Sequence, residues 1–246
     1  PAASMTVPVE ALRFALPGLQ LVADAAGDPG APVVLFLHGS GQTRQSWGRA
    51  LHEAARRGYR GISIDLRGHG DSDWSPEGHY SLDLFAADLR QVIEAIGRPP
   101  ILIGASLGGL VSLMITGGKP SPARGLVLVD ITPRIEAQGT REVLAFMDSA
   151  PSGFASVEEA AEAVAAYLPH RQRPRDTTGL QRNLRLRNGR YFWHWDPAFM
   201  RMGRDAEAKQ RFDGPNPFEQ TARALRIPTL LVRGGRSRLV SEEAVQ

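Results

Sequence analysis

The chain has 246 residues, 42% of them hydrophobic and 22% charged, with a formal net charge of +3; this is the composition of one globular domain, or one domain with a large insertion, and it excludes a disordered chain. Cysteine is absent, which excludes disulfides and thiol catalysis and favours a cytoplasmic location. The basic residues are nearly all arginine, a compositional habit rather than a nucleic-acid footprint, and no apolar run reaches the roughly 20 residues of a membrane helix.

Short apolar runs alternate with amphipathic helices along the chain, the pattern of a mostly parallel sheet covered on both faces. LQLVADAA (Leu19–Ala26) predicts an early strand, and APVVLFLHG (Ala31–Gly39) and YRGISIDLRG (Tyr59–Gly68) are continuous apolar runs of the buried kind. Between the last two, residues 43–58 have helical spacing at Trp47, Leu51 and Ala54, with Gly58 as the stop. A second helix opens at Ser81 as N-cap and ends at Gly97. The strand Ile101–Ala105, Ser106, a buried helix over Leu107–Gly118 and the strand Gly125–Asp130 follow. Another strand is expected over Ile227–Gly235, and the long segment before it reads as helices over 140–150, 156–168 and 217–226 around the aromatic stretch Tyr191–Met200. An insertion of that length is expected to be a lid rather than a loop. The basic run His170–Arg190 within it is expected to be a solvated helix face with its flanking loop.

The chemistry concentrates at Gly104-Ala105-Ser106-Leu107-Gly108. Gly-x-Ser-x-Gly between an apolar strand and an apolar helix is a nucleophile elbow: small neighbours permit a strained turn that lifts the serine hydroxyl above the sheet. The turn aims the Leu107 N–H and the positive end of the following helix at the place where an oxyanion would form. His38-Gly39-Ser40-Gly41 ends a buried strand without bulky side chains, so the Ser40 N–H is the candidate second donor. His38 and His69 are expected to be structural histidines of their turns, and His194, between Trp193 and Trp195, to belong to cap packing.

LHGSGQTRQSW, IDLRGHGDSD, IGASLGG, LVLVDITPR and IPTLLVRGGRSRLVSEE, in that order from about residue 33 onward, resemble the α/β-hydrolase superfamily, in the group that carries a helical cap after the sixth strand. The resemblance implies a core over 1–132, a cap over 133–226 and a second core part over 227–246. It implies a Ser106 nucleophile, an oxyanion hole from Ser40 and Leu107, and a cap shaping an apolar pocket over them. Haloalkane dehalogenases and epoxide hydrolases of the superfamily carry aspartate where this chain has Ser106.

Two departures from the family pattern stand out. The acid that usually follows the seventh strand is replaced by Arg238, and a guanidinium cannot accept an imidazole N–H. Asp130, after the sixth strand, is the candidate acid, and its other reading is the anchor of the turn before Thr132 and Pro133. None of the six histidines takes the family's place for the catalytic base, so about 35 to 50 further residues carrying a last strand, the histidine and a helix are expected to complete the fold. The function expected is a serine hydrolase cleaving a small ester or related acyl compound, with no metal, no organic cofactor, and no nucleic-acid or membrane partner. A cofactor-free perhydrolase or haloperoxidase, and a non-catalytic ligand-binding relative, are the alternatives.

Overall fold

The computed structural model describes residues 7–169, 177–202 and 216–245. The chain enters through the antiparallel hairpin of β1 (Val9–Leu16) and β2 (Leu19–Ala26), turned at Pro17-Gly18 where Gly18 has φ +79°. β1 goes beyond the sequence expectation: it is an edge strand whose residues are mostly exposed, so it lacks the apolar run that marks its neighbours. β3 (Val33–Leu37) and β4 (Arg60–Ile64) are buried at every position, as strands covered on both faces must be. The helix α1 (Gly48–Arg56) lies between them in sequence.

Alternation along β3 divides the core in two. Val34 and Phe36 pack with Leu51 of α1, whereas Val33, Leu35 and Leu37 face the larger cluster on the opposite side of the sheet. That second side is filled by α2 (Leu82–Ile96) and α3 (Leu107–Thr116). α2 has the ends its sequence dictates: the Ser81 hydroxyl accepts from the Leu84 N–H at 3.2 Å, and Gly97 closes it in the left-handed region at φ 74°. Each fully buried side chain such as Phe85 or Leu35 contributes about 1.5–3 kcal/mol relative to exposure.

With β5 (Ile101–Ala105) and β6 (Gly125–Val129), the sheet runs β1-β2-β4-β3-β5-β6 and is parallel from β4 onward. Between β6 and the next strand of this sheet the chain forms α4 (Ala137–Met147), α5 (Val157–Tyr167), the short α6 (Thr178–Gln181), a hairpin of β7 (Leu184–Arg187) and β8 (Arg190–Trp193), and α7 (Pro217–Ala224). β9 (Thr229–Val232) then joins the sheet parallel to β6. This is the α/β-hydrolase architecture.

The hairpin corrects the reading of the basic run. Residues 170–176 lie outside the described residues, but Leu184–Arg187 is a strand rather than part of a helix. Asn188 and Gly189 both have positive φ, at 49° and 75°, as a tight two-residue hairpin turn requires, and the Asn-Gly pair was the signal for it. The guanidinium of Arg187 stacks 4.6 Å from the ring centre of Trp74, so this charge is spent partly on an aromatic face.

Candidate active site

Ser106 is the first residue past β5 and stands at φ 46°, ψ −116°, a strained backbone that costs a non-glycine residue about 1–3 kcal/mol. Glycines on either side make the turn possible. A Cβ on Gly104 would lie 2.4 Å from the Gly108 carbonyl oxygen, and a Cβ on Gly108 would lie 2.5 Å from that of Leu37. The Ser106 N–H donates to the Val129 carbonyl at 3.3 Å, while its hydroxyl has no hydrogen-bond partner among the described residues. The hydroxyl therefore stands free at the start of α3, where the helix presents its positive end.

The loop after β3 is stitched to this elbow. The Gly108 N–H donates to the His38 carbonyl at 3.2 Å, and a Cβ on Gly39 would lie 3.2 Å from the Cβ of Ser106. Inside the loop, the Gly39 carbonyl accepts from the Gln42 N–H at 3.1 Å and from His38 Nδ1 at 2.8 Å, and the Gly39 N–H donates to Gln42 Oε1 at 3.0 Å. Neither the Ser40 N–H nor the Leu107 N–H meets an acceptor among the described residues. Both N–H groups are thus unengaged, that of Leu107 next to Ser106 in the chain and that of Ser40 next to Gly39, whose added Cβ would stand 3.2 Å from the Ser106 Cβ.

Asp130 is the first residue past β6, and its N–H donates to the Val232 carbonyl at 2.7 Å. Its Oδ1 accepts the Gly234 N–H at 3.0 Å, so it anchors the turn after β9 rather than the turn before Thr132 and Pro133, and its other oxygen has no partner among the described residues. Arg238 points away to Glu142 on α4, at 3.0 Å. A cleft of about 490 Å³ beside this pair is lined by Glu136, Gln138, Glu142 and Arg238, walls too charged for an acyl chain.

The described histidines are engaged elsewhere. His79 lies 3.3 Å from Glu77 on the surface, and His52 sits on α1. His38 Nε2 accepts the Leu66 N–H at 3.0 Å, which leaves the proton on Nδ1 for Gly39. His69 gives its Nδ1 proton to the Arg67 carbonyl at 3.0 Å, and its buried Nε2 has no partner. Burial lowers His38 to about 4, and burial together with the neighbouring His38 lowers His69 to about 3. His170 lies outside the described residues.

Sequence reasoning placed His194 in packing around the tryptophans, and the structure gives it more. The ring is 1% exposed; Nδ1 accepts the Gly70 N–H at 2.7 Å and Nε2 faces the Gly41 carbonyl at 3.3 Å. Its centroid is 5.9 Å from that of His69, which is 5.2 Å from that of His38. Trp193 and Trp195 stack at 5.0 Å, and Trp193 also meets Phe146 and Phe154, as expected of the inserted segment. Phe199 packs instead on Tyr80, Phe85 and His69, residues that precede β5 in the chain. Met147 and Trp195 reach the loop beside Ser106, within 3.3 and 3.4 Å of where a Cβ on Gly41 would stand. Only long-range contacts reveal these roles, and no local pattern announces them.

Among the described residues, no cluster of three or more histidines, aspartates or glutamates could hold a metal ion, and no helix is long and apolar enough to cross a membrane. Comparison with known proteins gives a consistent result. A family model described as alpha/beta hydrolase fold matches residues 32–246. The chain is 32% identical over 225 residues to esterase Rv0045c of Mycobacterium tuberculosis, covering 87% of this chain and 69% of the relative. It is 33% identical over 115 residues to epoxide hydrolase 4 of Mus musculus, a match that spans 32% of that protein. The crystal structure of E-2-(acetamidomethylene)succinate hydrolase superposes with a TM-score of 0.83 at 24% identity, over 97% of this chain and 85% of that one.

Proposed function

The chain belongs to the α/β-hydrolase family, and from that premise we propose that it is a serine hydrolase cleaving a small ester or related acyl compound through an acyl-enzyme on Ser106. The observation that carries the reading is the strained Ser106, whose hydroxyl has no partner among the described residues, at a helix start and beside a loop whose Leu107 and Ser40 N–H groups are likewise unengaged. In this reading the Ser106 oxygen attacks the acyl carbon, and the Leu107 and Ser40 N–H groups hold the carbonyl oxygen as it gains charge. The ester C–O bond then breaks, the alcohol leaves with the serine proton, and water releases the acid. The esterase likeness over most of the chain supports this chemistry. The epoxide hydrolase likeness does not redirect it, because the nucleophile position holds serine. The base is assigned to a histidine other than the six of this sequence, with Asp130 as the carboxylate that orients it.

A second reading, a non-catalytic ligand-binding relative, is favoured by one observation: His38, His69 and His194 all bond away from Ser106. A fluorophosphonate probe separates the two. In the full-length protein it should label Ser106, and Ser106→Ala should abolish both labelling and hydrolysis of p-nitrophenyl acetate. Labelling that persists in the alanine variant would overturn the assignment of the nucleophile; no labelling of the parent would favour the binding protein.

A further inference from the structure

The oxyanion loop is held from outside the sheet. His194 follows β8 in the inserted segment, 124 residues from its partner Gly70 in the loop after β4. Because its Nδ1 accepts the Gly70 N–H, the ring is in the tautomer that carries its proton on Nε2. That proton faces the Gly41 carbonyl at 3.3 Å. The Gly41 carbonyl belongs to the same planar peptide as the Gln42 N–H, which donates in turn to the Gly39 carbonyl at 3.1 Å. The Gly39 carbonyl belongs to the same peptide as the Ser40 N–H. In a trans peptide the N–H and C=O point opposite ways, so fixing one end aims the other. The bonds therefore run from His194 through two peptide planes to the donor assigned to the oxyanion, each polarising the next.

The contact is also built to be rigid. Gly41 has φ +71° and is confined by Met147 and Trp195, while the His194 backbone N–H is tied to the Asn183 carbonyl at 3.0 Å. Trp195 meets the His194 ring edge-on at 5.2 Å.

We propose that His194 is a positioning residue, through which the segment inserted after β6 aims the Ser40 N–H at the oxyanion formed on Ser106. The proposal rests on the reading of Ser106 as nucleophile and Ser40 as an oxyanion donor. It makes the inserted segment part of the catalytic geometry. His194 touches no substrate atom; its effect falls on the transition state, where the oxyanion carries charge, and so on kcat rather than KM.

The test compares three replacements in the full-length protein with p-nitrophenyl acetate as substrate. In His194→Gln the side-chain amide reaches the place of Nε2 and can still donate to Gly41. In His194→Asn the amide reaches only the place of Nδ1, and in His194→Phe a ring of similar size keeps the packing without any N–H. The expected result is a kcat within about threefold of the parent for glutamine and a loss of about tenfold or more for asparagine and phenylalanine, with KM within about threefold throughout; the full loss of one oxyanion donor, about 10²–10³-fold, is the ceiling. Phenylalanine serves even where the asparagine variant does not fold. Parent-like kcat in the folded phenylalanine variant, or equal losses in glutamine and phenylalanine that follow their melting temperatures, would overturn the proposal. Ser106→Ala is measured alongside: if it retains hydrolysis, the nucleophile reading has failed, whereas an inactive Ser106→Ala with an unaffected His194→Phe removes the positioning role alone.

Discussion

Ser106 and Asp130 occupy equivalent places on adjacent parallel strands: each is the first residue past its strand, each has a left-handed backbone, at φ 46° and 53°, and the Ser106 N–H bonds to the carbonyl of Val129, the residue before Asp130. The two side chains therefore rise from the same rim of the sheet. Arg238 is 66% exposed and paired with Glu142, a surface ion pair worth about 0–1 kcal/mol. Asp130→Asn is expected to lower kcat for p-nitrophenyl acetate by about 10³-fold or more, since the base would lose its tautomer and its charge partner. Arg238→Asp is expected to stay within about threefold of the parent, as a surface change. A rise in kcat with Arg238→Asp, together with an indifferent Asp130→Asn, would assign the acid to the loop after β9 instead.

The elbow predicts a steep cost at Gly108. An added Cβ meets the Leu37 carbonyl carbon and oxygen, backbone atoms of a fully buried strand that cannot rotate away. Gly108→Ala is expected to lose about 3 kcal/mol or more in urea unfolding, in the range of overpacked core sites. Gly118→Ala, where nothing lies within 4 Å of the added carbon, should stay within about 0.5 kcal/mol. Equal stability of the two variants would show that the turn can open without harm.

What the sequence disclosed follows from how local each signal is. The elbow, the capped helix from Ser81 to Gly97 and the buried strands are written in neighbouring residues, where spacing and size decide the backbone. β1 escaped because an exposed edge strand carries no apolar run, and the hairpin at Asn188-Gly189 escaped because its arginines read as a helix face. His194 could be placed beside two tryptophans, but its bonds to Gly70 and Gly41 depend on how residues more than a hundred positions apart come to lie together. Asp130 was visible as a carboxylate at a strand end, whereas its bond to the Gly234 N–H needed the strand order.

Tyr80 ties the loop before α2 to the inserted segment. Its hydroxyl donates to Asp196 Oδ2 at 2.7 Å and accepts the Ser75 N–H at 2.9 Å. Asp196 is buried, and its other oxygen caps the Ala198 N–H at 2.8 Å. Tyr80→Phe leaves a buried carboxylate oxygen without its donor, which is expected to cost about 1–3 kcal/mol. Urea midpoints of parent and variant measure it, and an unchanged midpoint would mean that water replaces the hydroxyl.

The buried histidines set the acid limit of the fold. His38 and His69 are held neutral, at about 4 and about 3 against 6.5, chiefly because burial disfavours the cation. Below pH 6.5 the unfolded chain takes up protons that the folded chain refuses, so stability is full above that pH. It falls as pH drops, down to about 4 for His38 and about 3 for His69, at up to about 1.4 kcal/mol per pH unit for each histidine. His194, lowered by burial and by His69 and His38, acts in the same direction. The half-buried carboxylates Glu53, Glu142 and Glu219, lowered by their arginines, do so as well. Asp65 opposes them: burial, offset in part by Arg44, raises it, so it favours the folded state as it becomes protonated. His69→Asn retains a donor for the Arg67 carbonyl and removes the partnerless Nε2. Urea unfolding free energies measured from about pH 7.5 down to about pH 4 should therefore fall less steeply in the variant, by up to the slope of one proton. Parallel curves for parent and variant would mean that His69 already takes up its proton in the folded state at its ordinary pH, and that the cluster of rings tolerates the charge.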